Sequence, residues 1–334
     1  MAMNRRAVDR ILAAGLISSA QMPSLAGRVC ETWMKQQLLR WEDRTVKQEL
    51  ALYRAAFRFI EDAARGAAGA RKKPDRSWAN AMTPVIRMRV MQLGQEVSRL
   101  AGAAATAAYA AGFYGRAWLL DMMTRPEVQV DVTLPDVRVA IGSRVLQESG
   151  PDVWAMIADE FGAGWWRIFN LEYEQLLLNL QRVLNQGVRE GLGMADIMDK
   201  VADKFGLDMT PGGGYRSNFN VVQAVTRTYI MNASNQGAAD VYRQNAALLG
   251  GMRHLTALDE RTCLSCQRLE GHLYPLDEWN LPPIHPNCRC TVIPVLREDY
   301  ADVYLNEPPR EYFAEWTDRR GLGLFVGAFL GGVM

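Results

Sequence analysis

Histidine and cysteine are scarce in this chain, with three and five copies among 334 residues. No stretch reaches the ~18 consecutive apolar residues that a membrane-crossing helix needs. The opening residues, "MAMNRRAVDRILAAGLISSA", have no long apolar core of the kind a secretory signal carries. The expectation is a protein made and kept in a reducing cytoplasm, where clustered cysteines read as metal ligands before they read as disulfides. Two zinc-enzyme signatures are missing. There is no H-E-x-x-H. The histidines His254, His272 and His285 are followed two places on by Thr256, Tyr274 and Asn287, so the H-x-E of a zinc deaminase is absent too. The glycine-rich "MTPGGGYRSN" has no Walker lysine after it and reads as a linker. No internal repeat or low-complexity tail is present.

A net charge of +1 conceals an asymmetry. Residues 1–100 hold 18 Lys and Arg against 9 Asp and Glu, and the other 234 residues hold 20 against 28. The basic part includes "ARGAAGARKKPDR" (Ala64 to Arg76), in which Arg71, Lys72, Lys73 and Arg76 are candidate nucleic-acid contacts. A solvated face with a basic loop is the plainer reading of the same run.

Hydrophobic content of 49% supplies enough apolar material for a core, and the length suits two domains. The periodicity predicts a mainly α chain with a small α+β C-terminal domain. Leu38, Trp41, Val46, Leu50, Tyr53, Phe57 and Ile60 recur at helical spacing, and Pro74 interrupts the pattern. A second long helix follows, and its Ala/Gly run from Ala101 to Gly112 permits close helix packing. Val128, Val130 and Val132 alternate with polar residues, as in a strand or an extended connection, and a domain boundary belongs near here. Tyr173, Leu176, Leu177, Leu180, Leu184 and Val188 mark another helix, stopped by Gly191 and Gly193. Met194, Ile197, Val201 and Phe205 mark the next, capped by Gly206. Val221, Val225, Tyr229, Asn232, Asn235, Ala239 and Tyr242 predict one long helix ending at Gly250. A strand with Met252, His254 and Thr256 on one face comes next, and "CTVIPVL" reads as a closing strand. The predicted division is a basic helical region over 1–145, a domain over 146–296, and a tail over 297–334.

Seven of the eight histidines and cysteines fall between His254 and Cys290. Cys263 and Cys266 form a C-x2-C pair, whose single tight turn can present two thiolates to one ion. His285 and Cys288 form an H-x2-C pair, and Cys290 lies two residues further on. Two turns facing each other around a structural zinc would use this pattern to fold a short, loop-rich segment. There are five candidate donors for four places. Disulfides (263–266 or 288–290) are the competing reading. His272 reads as a loop residue, His254 as a strand residue, and Cys30 as helix packing.

The segment "LTALDERTCLSCQRLEGHLYPLDEWNLPPIHPNCRCTVIPV" (Leu255 to Val295) resembles the signature of the phage Mu F-like head morphogenesis family, also called minor head or minor capsid proteins. That family carries a D-x-R-T-C-x-x-C turn, a short glycine-containing hairpin and P-P-x-H-P-x-C-R-C. The matching positions here are Asp259, Arg261, Thr262, Cys263, Cys266, Gly271, Pro282, Pro283, His285, Pro286, Cys288, Arg289 and Cys290. The likeness extends over about residues 165–296, with Tyr229 where the family often has an acidic residue. It implies a virion protein of low copy number, assembled in the bacterial cytoplasm and acting near the portal vertex in procapsid assembly and in DNA packaging or delivery. The implied partners are portal and capsid proteins, with phage DNA as a further one, and no catalysis is implied. A metal-dependent DNA-binding or nuclease-like protein is the alternative. The terminal "GLGLFVGAFLGGVM" (321–334) is uncharged and as a helix would reach about 21 Å, short of a ~30 Å hydrocarbon core. It suits a protein groove or a transient membrane contact.

Overall fold

The computed structural model describes residues 22–68, 73–124, 128–133, 165–206, 218–256, 262–278 and 281–297. The described chain is mainly helical, with a small antiparallel sheet near its C-terminal end. In chain order the elements are α1 (Met22–Ala68), α2 (Arg76–Met123), α3 (Trp165–Arg189), α4 (Met194–Phe205) and α5 (Asn218–Gln244). A 3-10 turn (Ala246–Leu248), β1 (Leu249–Leu255), α6 (Leu264–Leu269), β2 (Leu273–Tyr274) and β3 (Thr291–Leu296) follow. No helix among the described residues is long and apolar enough to cross a membrane. Cys30 falls within α1 with its side chain outside the described set, and the tail 321–334 also lies outside it.

The chain divides into two compact units interleaved along the sequence: 43–103 with 148–229, and 1–42 with 104–147 and 230–334. In the first unit, Trp78, Met82, Ile86, Val90, Leu93, Val97 and Ala101 form the buried seam of α2. Their spacing of three and four residues keeps them on one helix face. Asp75 caps α2, accepting from the Trp78 amide at 2.8 Å, and the Trp78 indole donates to the Ala64 carbonyl at 3.1 Å. The helix therefore opens two residues after Pro74. On α3, Tyr173, Leu176, Leu180 and Leu184 are buried, and so are Ile197, Val201 and Phe205 on α4, as their periodicity predicts. Gly206 closes α4 in the left-handed region at φ 78°.

The second unit rests on a close helix crossing. A Cβ built on Gly112 of α2 would lie 2.0 Å from the Ser234 carbonyl oxygen, and one on Gly237 of α5 would lie 2.1 Å from that of Tyr109. Only hydrogen fits at either position, so the small-residue run packs as its composition suggests. Tyr109 reinforces the crossing by donating to the Asp240 carboxylate at 2.6 Å. Phe113, Trp118, Val241 and Tyr242 join Leu249, Met252 and Val292 of the sheet in one core.

The sheet order is β2-β1-β3, and both pairings are antiparallel. The long helix ends at Gln244 rather than at Gly250, a correction to the sequence expectation. The cause is Asn245. Its amide nitrogen donates to the Val241 and Asp131 carbonyls at 2.9 and 2.8 Å, while its oxygen accepts from the Asp131 amide at 2.8 Å. One side chain thus satisfies a helix-end carbonyl and pins the extended segment 128–133. Met252, His254 and Thr256 are all buried, but so are Gly251 and Leu255, so β1 is not the alternating strand that one shared face would predict.

Glu49 is fully buried among helices α1 and α5. The Thr226 hydroxyl donates to one of its oxygens at 2.6 Å, and the other oxygen has no hydrogen-bond partner. Burial pushes its carboxyl up from 4.5 to about 8, against the smaller pull of the Thr226 bond and the Arg227 charge. The unfolded chain releases that proton near the ordinary glutamate value of 4.5 while the fold holds it to about 8, so stability falls as pH rises through that window and levels off above it. Glu49→Gln keeps the acceptor for Thr226 and removes the ionisation. Its expected gain over the parent in urea unfolding grows from near zero at pH 4.5 to on the order of 4 kcal/mol at pH 8. A pH-independent difference would contradict this reading.

Candidate metal centre

The first arm is built by a helix start. Cys263 is the N-cap of α6, and its Sγ accepts from the backbone amide of Cys266 at 3.4 Å. That amide is one of the first-turn donors with no partner inside the helix, so the cap sets the two sulfurs on one side of the turn. Gln267 closes the turn by donating to the Thr262 carbonyl at 2.8 Å. Gly271, at φ 77°, then reverses the chain, and its amide donates to the His254 carbonyl at 3.0 Å. This bond ties the arm to β1.

The second arm runs from a cis Pro282–Pro283 bond into a turn over His285, Pro286 and Asn287, with the Cys288 amide donating to the His285 carbonyl at 3.1 Å. Cys290 sits directly before β3, so the sheet holds its backbone.

The two arms meet. His285 Nε2 lies 3.2 Å from Cys263 Sγ and 3.1 Å from Cys266 Sγ, and Cys266 Sγ lies 3.8 Å from Cys288 Sγ. Cys263, Cys266 and His285 form one group with metal-ligating geometry, and Cys266, Cys288 and Cys290 form another. Cys266 is common to both. All four cysteines are free thiols, so the structure contains no disulfide among them. His285 Nδ1 donates to the Pro286 carbonyl at 2.8 Å, which leaves the lone pair of Nε2 aimed at the sulfurs.

Zn–S and Zn–N bonds of about 2.3 and 2.0 Å give tetrahedral edges of about 3.8 Å between sulfurs and about 3.5 Å between sulfur and nitrogen. The Cys266–Cys288 separation of 3.8 Å matches the first, and the His285 contacts of 3.1 and 3.2 Å are slightly tighter than the second. The donor set and its spacing fit a soft divalent cation.

The thiols are unequal. The hydrogen bond from Cys290 lowers Cys288 to about 5, and the same bond, with burial, pushes the Cys290 thiol far up. Burial raises Cys266 to about 12. The Cys266 amide draws Cys263 down. Burial works to lower the His285 imidazole, but the Pro286 carbonyl and the neighbouring Cys288 and Cys263 sulfurs outweigh it and raise it.

The remaining predicted residues separate. Asp259, Arg261, Arg71 and Lys72 lie outside the described residues. Pro283 and Arg289 are half-buried in the second arm, and Pro286 is exposed at its turn. Lys73 and Arg76 are exposed at the start of α2. His254 is a buried strand residue bonded through Nδ1 to the Tyr274 hydroxyl at 2.9 Å, and exposed His272 stacks edge-on to Tyr274 with ring centres 4.8 Å apart. Neither histidine joins the sulfur groups.

The residue that sequence reasoning undervalued is Asn235. Its amide nitrogen donates to the Pro282 and Cys290 carbonyls at 2.7 and 3.0 Å, which bracket the second arm. Its oxygen accepts from the Thr291 hydroxyl at 2.8 Å, and Arg116 donates to that hydroxyl at 2.9 Å. About two helical turns further on, Arg243 donates to the Leu276 and Glu278 carbonyls at 3.1 and 3.0 Å. The signal was a polar residue on the apolar face of α5, which periodicity alone cannot distinguish from a core position.

Residues 179–293 match the family model for phage Mu protein F like proteins. No curated protein and no solved structure matches the chain. The matched span begins inside α3 and ends inside β3, and so contains α4, α5 and both arms of the site.

Asn235→Ala removes the donor to two buried carbonyls and the acceptor for the Thr291 hydroxyl, which keeps only its bond from Arg116. The expected loss of stability is about 2–4 kcal/mol by urea unfolding. Amide exchange should quicken at residues 282–290 first. Unchanged exchange there would show that the second arm does not depend on this amide.

Proposed function

We propose, on the match of residues 179–293 to the phage Mu protein F like family model, that the protein is a minor head protein acting in phage capsid assembly. The observation that carries this reading is the match itself, which encloses the whole Cys/His site and the helix that braces it. In this reading the portal vertex is the place of action, and portal and capsid proteins are the partners. DNA packaging or delivery is the process served, and the virion is the destination. The domain over 146–296 is the part engaged in assembly. The tail 321–334 is then a segment for a protein groove or a transient membrane contact.

The site is read as a structural zinc centre. Cys263, Cys266 and His285, which already form one group, would hold the ion and Cys288 would move in from the second group as the fourth ligand, with Cys290 donating its S–H to the Cys288 sulfur. When bound, zinc would cross-link the two arms and supply folding energy to a segment whose regular structure amounts to short strands and a six-residue helix. Four protein donors leave no open coordination position, which supports a structural role over a catalytic one. Motif residues serve the same end: Thr262 and Gly271 shape the first arm, while Pro283, Pro286 and Arg289 line the second.

Two measurements test these readings. Quantitative mass spectrometry of purified particles, scaled to the major capsid protein, should find a few to a few tens of copies, on the order expected for one vertex. Absence from both procapsids and virions would remove the head-protein reading. Independently, the purified chain should contain one equivalent of zinc. Cys266→Ser, which breaks both groups, should abolish metal content, whereas Cys290→Ser should retain most of it. Equal loss in the two variants would make Cys290 a ligand, and a metal-free parent would overturn the centre.

A further inference from the structure

Arg40, Arg44, Lys47, Arg54 and Arg58 recur along α1 at intervals of four, three, seven and four residues, and all five are exposed. At 100° per residue these intervals keep them on one stripe of the helix. The stripe is about 27 Å long at 1.5 Å per residue. None of the five has a hydrogen bond or ion pair with any other side chain among the described residues.

The carboxylates of the same stretch are engaged elsewhere. Glu42 and Glu49 are buried, and Asp43 holds Arg227 at 3.3 Å. Elsewhere the helices do pair their surface charges, as in Arg65–Glu61 at 2.6 Å and Arg89–Glu96 at 3.2 Å. Like charges three and four residues apart weaken a helix, so Arg40–Arg44, Arg44–Lys47 and Arg54–Arg58 oppose the fold they sit on. Folding gives no reason for this segregation of charge.

We propose that this stripe of α1 binds the phosphate backbone of duplex DNA. Four of its five cations are arginine, whose planar donor fork matches phosphate oxygens. Its length spans about eight base pairs of duplex at 3.4 Å each. Between Arg40 and Arg58 the exposed residues are Asp43, Arg44, Lys47, Gln48, Ala51 and Arg54; the exposed Phe59 follows Arg58 but lies about 100° round the helix from it, so the stripe itself carries no large exposed apolar side chain of the kind a protein partner would bury. Phosphate contacts need no such anchor. The inference depends on the head-protein reading only for why DNA would be at hand.

The test uses the full chain and a fluorescein-labelled 30-base-pair duplex of arbitrary sequence, followed by anisotropy between 50 and 300 mM salt. Five phosphates neutralised would give log K against log salt a slope of about −4 to −5. The triple variant Arg44→Glu/Lys47→Glu/Arg54→Glu should bind at least tenfold more weakly, with a shallower slope. Arg44→Gln/Lys47→Gln/Arg54→Gln should fall between, which keeps the test usable if charge reversal disturbs the fold, as circular dichroism would show. Lys73→Ala/Arg76→Ala should change affinity less than either triple variant. No binding by the parent, an unchanged slope in both triple variants, or a larger loss from Lys73→Ala/Arg76→Ala would overturn the proposal. So would a stripe whose reversal releases an acidic head protein while duplex binding is unaffected. The count of copies in particles is unaffected by any of these outcomes, so a failure here is distinct from failure of the head-protein reading.

Discussion

A helix buried on every side must satisfy its polar side chains from its neighbours, and α5 is such a helix. Thr226, Thr228, Asn232, Ser234, Asn235 and Gln236 are all buried along it. Asn235 turns that burden into architecture. A single carboxamide has two N–H donors and one oxygen acceptor, and here all three are directed at residues that start or finish the second sulfur-bearing arm. Inside a low-dielectric core such bonds are costly to leave unmade, so the arm is specified as strongly as a packed side chain would specify it.

The placement of α5 has its own condition. Backbone must approach backbone at Gly112 and Gly237, because the Tyr109 and Ser234 carbonyls occupy the space that a Cβ would need. The small residues bring the helices together, and the closeness brings Asn235 and Arg243 within reach of the loop ahead of β3. The placement of the Cys/His site thus rests on two glycines far from it in sequence. A second polar contact, Glu49 with Thr226, sits in the other unit and responds to pH. Burial there sets protonation, whereas at Cys288 a neighbouring thiol sets it.

Each half of the sulfur site uses a different local device. The first arm uses a helix start, where Cys263 caps α6 and the chain turns within four residues. The second uses proline and an Asn287 in the left-handed region at φ 59° to fold back before a strand. The two cooperate because β1 lies between β2 and β3, so that the hairpin after α6 and the strand after Cys290 pair with the same central strand. A zinc ion in this setting would close a loop whose ends are already aligned, which lowers the ordering entropy left for the metal to overcome.

Sequence alone was sufficient for the elements that depend on periodicity and punctuation. The apolar faces of α3 and α4, the cap at Gly206 and the pairing of Cys263 with Cys266 are all local patterns, set by the 3.6-residue repeat or by the geometry of one turn. The same local reading misplaced the end of α5, because Gly250 was the nearest stop signal. The actual terminator, Asn245, works by bonding to Asp131, more than a hundred residues earlier. Tertiary structure alone decided that Cys266 belongs to both donor groups, that His254 faces Tyr274 instead of sulfur, and that Asn235 clamps the second arm. Those outcomes depend on distances between side chains far apart in sequence, and periodicity carries no information about distances of that kind.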